Sequence, residues 1–384
     1  SYDDFFCCWV VKTALNKRKK MYDMSAKMKL AAFLLPTGHH AAAWRHPGSV
    51  VDAGTNFAHQ VTLARTAEHG LFDAVFIADF TSAIDEASLD GFHRMTYASS
   101  FEPLTLVSAL AARTTHIGLI ATVSTTYAVP YQLARQFLSL DQISGGRAGW
   151  NLVTTANTSE SVHYGQRSHT PHASRYEKAA EFAQIVEKFW DSWEDDAFIR
   201  DTVSGRFFDP DKRRPFVHDG PAFSAAGQLD LPRSPQGRPV LVQAGSSDPG
   251  RALAARTAEM VFTAQQSLED ARAFRDDLHR RMAADGRDPS SLKVMPGVYP
   301  LVGRTQAEAE DLRAQLDDLT HRDVGLFLLG GMTGTDLRDL SPDDPLPEPP
   351  ADFNGNRSRQ ELLWRMGHKR NMTLRELYLE VSGA

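Results

Sequence analysis

The chain has 384 residues, 42% hydrophobic and 23% charged, with a formal net charge of −6. That length holds one large domain or two ordinary ones around a core that needs no staples, and no apolar run approaches membrane-spanning length. The mildly acidic balance leaves no electrostatic footprint for nucleic acid. The two cysteines, adjacent Cys7 and Cys8, exclude a disulfide framework and thiolate metal sites in the body and suit a reducing cytosol.

In chain order, residues 1–23 carry a short apolar run followed, not preceded, by a basic cluster, which resembles a signal peptide only faintly. They read as an extension outside the fold. Strand-like runs then alternate with helical patterns. The strand candidates are Lys29–Leu35, Ala74–Asp79, His116–Ser124, Gly149–Thr154, Val240–Ala244, Met260–Ala264 and Val294–Val302, several of them apolar nearly throughout, as strands covered on both faces should be. "FAHQVTLARTAEHG", closing on Gly70, "EPLTLVSALAART" and "YQLARQFLSLDQISGG" are helical. This alternation implies a parallel sheet, either doubly wound or a (β/α)8 TIM barrel. The first unit, "LLPTGHHAAAW", lacks the glycine spacing of a dinucleotide fingerprint, so the barrel is favoured. "VGLFLLGG" is either the eighth strand or a helix in a lid.

Chemistry in a barrel collects at the carboxyl ends of its strands. There the chain places His39 and His40, then Asp79, Thr125 and Asn151, and finally Gly245-Ser246-Ser247 leading into a helix at Asp248-Pro249. A glycine/serine turn before a helix N-terminus suits an anion, although an ordinary turn capped by Ser247 or Asp248 explains it equally well. Ser174 and Glu177 form a capping-box pattern, with His172 just before the cap and Tyr176 in the first turn, both able to donate to an anion there. The stripe Phe182, Ile185, Val186, Phe189, Trp190 and Trp193 reads as core. Adjacent histidines lack metal-pair spacing, so no metal site is expected. No nucleophile elbow or Walker loop occurs, which leaves the chemistry to a cofactor.

The segments "GHHAAAWRHP", "FEPLTLVSALAARTTHIGLIATVSTTYAVPYQLARQF", "LDQISGGRAGWNLVTT", "FWDSWEDDA" and "SPQGRPVLVQAGSSDPGRALAAR" together resemble the bacterial-luciferase-like flavin monooxygenases. The branch is that of nitrilotriacetate monooxygenase component A, EDTA monooxygenase and dibenzothiophene-sulfone monooxygenase. The resemblance implies a (β/α)8 barrel over 24–384, with lid-like insertions at 156–237 and 305–350 and without the last strand and helix. It implies a cytoplasmic homo-oligomer that takes reduced FMN from an NAD(P)H-dependent flavin reductase. Through a peroxyflavin, the enzyme would insert one atom of O2 into a small N-, S- or C-centred substrate. Matching flavin-contacting positions are Asp79, Thr125, Asn151, His172, Tyr176, Ser246 and Ser247, with the phosphate near Gly245–Ser247, and His39 and His40 are candidates for the pocket wall. Alternatives are a deazaflavin-dependent oxidoreductase of the same superfamily and an inactive, truncated flavin-binding protein.

Overall fold

The computed structural model describes residues 28–35, 37–79, 89–155, 157–350, 352–353, 355 and 357–382. The extension assigned to residues 1–23 lies outside them. The strands are β1 (Ala31–Leu34), β2 (Ala74–Ile77), β3 (Gly118–Ser124), β4 (Ala148–Val153), a separate antiparallel hairpin β5 (Phe216–Asp219) and β6 (Ser224–Gly227), then β7 (Val240–Gln243), β8 (Met260–Thr263) and β9 (Lys293–Pro296). Outside the hairpin they form one seven-stranded parallel sheet whose strands lie side by side in chain order.

The helices are α1 (Phe57–His69), α2 (Leu89–Phe92), α3 (Pro103–Ala111), α4 (Pro130–Ser144), α5 (His172–Trp190), α6 (Asp248–Thr257), α7 (Leu268–Ala284), α8 (Gln306–Asp318), α9 (Arg322–Thr333), α10 (Arg357–Arg370) and α11 (Leu374–Val381).

Because side chains alternate along a strand, each register row faces one way. The row Ile77, Ala121, Trp150, Leu241 packs outward against α1, α3, α4 and α5 in the main core. The row Phe33, Phe76, Ile120, Gly149, Val240 faces the opposite, inner side. There the rings of Phe33 and Phe262 meet edge-on at 5.7 Å, although four strands separate β1 from β8. Phe76 joins them, 4.8 Å from Phe33 and 6.3 Å from Phe262. The sheet is therefore curled into a trough whose floor is aromatic.

Of the two readings of "VGLFLLGG", the helix holds: it lies in α9, whose Leu326 and Leu329 bury against Leu374, Leu377 and Tyr378 of α11. Other expectations need correction. The last strand was drawn too long, because Pro296 ends the pairing that a run to Val302 would require. Helix α5 begins at His172, with Pro171 at the cap and no side-chain cap bond, so Ser174 lies inside the first turn, Glu177 in the second, and they form no capping box. Gly70 does close α1, but the left-handed residue is Leu71, at φ 60°.

Candidate functional site

Two helix starts converge at the carboxyl end of β7. Beyond Gln243, Gly245 and Gly250 approach so closely that a Cβ on Gly245 would stand 3.0 Å from the Gly250 Cα and 3.1 Å from the Tyr176 hydroxyl. A Cβ on Gly250 would in turn stand 3.0 Å from the Gly245 backbone and 3.1 Å from the Tyr176 hydroxyl. The phenol of Tyr176, on α5, thus lies directly over the turn into α6. Ser247 is the N-cap, its hydroxyl accepting the Gly250 N–H at 3.3 Å, and its own O–H remains available to donate. Ser246 is half-buried beside it. Asp248 would repel an anion at this terminus, but its carboxylate bonds Arg281 at 2.5 Å, which holds it below the usual carboxylate range. Pro249 brings no N–H, and Gly250 and Arg251 donate theirs to Ser247, so the candidate anion cradle rests on the positive end of α6, two hydroxyls and a compensated carboxylate.

His172, the first residue of α5, lies 5.0 Å ring to ring from Tyr176. Burial, then the charges of Arg175 and Arg357, push its imidazole below the ordinary histidine value. Arg175 is buried and donates to the Thr170 carbonyl at 3.1 Å, and its guanidinium lies against the His169 ring. That ring bonds the Tyr127 hydroxyl at 3.0 Å and the Thr155 carbonyl at 3.1 Å. Thr155 turns the chain out of β4 at φ 44° and donates to Ser124 Oγ at 2.5 Å. Tyr127 stacks on Tyr164 at 4.1 Å.

Deeper in the trough, Asn151 of β4 is 2% exposed and faces inward, since its neighbour Trp150 packs outward with Phe137, Phe182 and Trp190. Its Nδ2 donates to Thr122 Oγ1 at 2.9 Å, and Thr122 in turn donates to the Ile77 carbonyl at 2.8 Å. Asn151 Oδ1 is buried with no hydrogen-bond partner among the described residues. A carbonyl left so costs about 1–3 kcal/mol unless a donor meets it, which makes Asn151 a candidate for contact with a ligand donor.

The other candidates are spread around the rim. Thr125 is buried, its hydroxyl donating to the Val153 carbonyl at 3.2 Å. Asp79 is exposed at the end of β2; burial first, and then the Asp79 charge, push the Tyr164 phenol up from its ordinary value. His39 donates from Nε2 to the Phe33 carbonyl at 2.9 Å and packs edge-on against the Phe33 ring, so it stands over the trough floor. His40 is buried elsewhere: it accepts the Ala42 N–H at Nδ1 and bonds Asp317 of α8 from Nε2, each at 3.2 Å. The structure thus brings His172, Tyr176, Ser246 and Ser247 together. It sets Asn151 below them in the trough and engages His40 in a tie to α8. Sequence reasoning missed Thr122, Gly250, Tyr127, His169 and Arg175. For Thr122 the signal was a polar residue at an inward position of an apolar strand.

The luciferase-like monooxygenase family model matches residues 34–374. N-acetyl-S-(2-succino)cysteine monooxygenase from Bacillus subtilis (strain 168) is 44% identical over 366 residues, spanning 95% of this chain and 82% of that protein. Nitrilotriacetate monooxygenase component A from Aminobacter aminovorans is 43% identical over 365 residues, spanning 93% of this chain and 81% of that protein. Among solved structures, riboflavin lyase RcaE, determined with a modified FMN and riboflavin, superposes with a TM-score of 0.81 at 28% identity, over 93% of this chain and 79% of that one. The curled parallel sheet, the site at its carboxyl ends and these matches make one conclusion: this chain belongs to the luciferase-like monooxygenases.

Proposed function

We propose that the chain is the oxygenase component of a two-component system that uses reduced FMN and O2 to put one oxygen atom into a small N-, S- or C-centred organic substrate. The observation that carries it is the cradle at Gly245, Gly250, Ser247 and Tyr176, which fits a phosphate; the buried Asn151 carbonyl fits a ring N–H in the hollow below. A relative bearing the name component A supports a partner, here an NAD(P)H-dependent flavin reductase. On this reading the sheet supplies seven strands of a (β/α)8 barrel and the segments 156–237 and 305–350 act as lids. The enzyme works in the cytoplasm as a homo-oligomer.

Bound FMNH2 supplies the two electrons that activate O2, one oxygen atom going to substrate and the other to water. The protein's own part is placement and exclusion. Tyr176, Ser246, Ser247 and the α6 N-terminus hold the phosphate, with His172 as a neutral donor. Asp79 and Thr125 complete the rim. The rings of Phe33, Phe76 and Phe262 keep water from the floor of the hollow. His39 stands where it can line the substrate side of that floor. The test is O2 uptake with FMN, NADH and a flavin reductase over a panel of sulfides, sulfones, aminopolycarboxylates and S-substituted cysteines. Substrate-dependent uptake with an oxygenated product is expected, and flavin oxidation with no product from any of them would contradict the reading.

A further inference from the structure

The chain Ile77–Thr122–Asn151 has a direction. Thr122 owns one O–H, and it is given to the Ile77 carbonyl at 2.8 Å. The lone pairs left on Thr122 Oγ1 can only receive, so the Asn151 group at 2.9 Å must be the NH2. A flipped amide would set its carbonyl against those lone pairs. Asn151 Oδ1 is therefore fixed as an acceptor, buried and unpartnered on the inner face of the sheet, in register with Val242 of the apolar layer formed with Phe76 and Ile120.

We infer that Thr122 is a positioning residue that locks this amide so that the site takes reduced FMN in preference to oxidised FMN. The inference rests on the proposed flavin reading. Reduction of an isoalloxazine adds an N–H at N5, in the anionic hydroquinone as in the neutral one, where the oxidised ring presents only a lone pair. A fixed carbonyl attracts the first and repels the second. The depth suits a ring: Val242, the register partner of Asn151, precedes Gly245 by three residues, about 10 Å along an extended chain, the reach of a ribityl phosphate. A component that receives FMNH2 from a partner and must discharge FMN gains from this selectivity.

The test is anaerobic titration of the full chain with FMN and with dithionite-reduced FMN, read as the ratio of the two dissociation constants. The wild type is expected to bind the reduced form more tightly. Thr122→Val, which removes the hydroxyl at nearly constant volume, and Asn151→Leu should each cut that preference by about three- to tenfold, the worth of one hydrogen bond. Thr122→Ser should retain it. Equal affinity of the wild type for both forms, or an undiminished preference in Thr122→Val, would overturn the inference. No saturable binding of either form by the wild type would overturn the flavin reading and this inference with it.

Discussion

Tyr176 and Ser247 can be tested one atom at a time. Tyr176→Phe removes the hydroxyl above the glycine pair and leaves the ring, so flavin affinity should fall by about 1.5–3 kcal/mol, the range for a hydrogen bond to a charged group. Ser247→Ala should weaken binding and also cost about 0.5–2 kcal/mol of stability as a lost cap; unfolding in urea separates the two effects. Acid sensitivity belongs to this scale as well. His39, His40, His169 and His172 are all held below their ordinary value, chiefly by burial. Unfolded imidazoles titrate near about pH 6.5, so on acidification the unfolded chain takes up protons first. The stability these groups lend is complete above that pH and is lost as pH falls through their lower native values. The urea midpoint should therefore drop between pH 7.5 and 5, and His40→Gln should flatten that slope. A midpoint that rises on acidification would contradict the assignment.

Elements meet closely here, and glycines decide how closely. Gly245→Ala forces a methyl between Gly250 and the Tyr176 hydroxyl, costing about 1–3 kcal/mol by overpacking and lowering flavin affinity together. In α9, a Cβ on Gly325 would stand 2.5 Å from the Tyr378 ring, whereas one on Gly331 meets nothing within 4 Å. Gly325→Ala should accordingly destabilise the chain and Gly331→Ala stabilise it by about 0.5–1 kcal/mol, a contrast that thermal unfolding reads directly. What was legible in the sequence follows the same physics. Strands covered on both faces announce themselves by continuous apolar runs; several of the seven members of the sheet stood out that way, and each of the seven overlaps a strand candidate. The run in α9 is equally apolar, and only its packing against α11 shows that it is helical. The β5–β6 hairpin was passed over although Gly220-Pro221 marks its turn, because four-residue strands of mixed polarity carry little pattern. Glu181 holds that hairpin through His218 and the N–H groups of Ala222 and Phe223, contacts no local reading supplies.

At the scale of the molecule, the curl of the sheet is what makes a site. Register alone sets Thr122, Asn151 and Val242 of the neighbouring strands β3, β4 and β7 side by side, and the curl brings β1 and β8 round to share an aromatic floor with them. The glycine/serine turn could be read from the sequence as one of two things, a plain turn or an anion site. Choosing needed Tyr176, nearly seventy residues earlier, set over it by α5. The same holds for Asn151: its type and strand were legible, its orphaned carbonyl was not, since that depends on Thr122 across the register. Phe76→Ala should cost about 3–5 kcal/mol as a buried cavity. By wetting the floor it should also divert a larger share of consumed O2 into hydrogen peroxide. Peroxide yield beside product yield measures that diversion, and unchanged coupling would show that the floor does not guard the chemistry.

On the proposed reading, a flavin is held by its phosphate between α5 and α6. Anaerobic titration of the wild type, Tyr176→Phe and Gly245→Ala with reduced FMN tests it most directly. The account predicts one saturable site in the wild type and weaker binding in both variants, with each variant folded. Full affinity in both variants would place the phosphate elsewhere, and an absence of saturable binding in the wild type would contradict the claim outright.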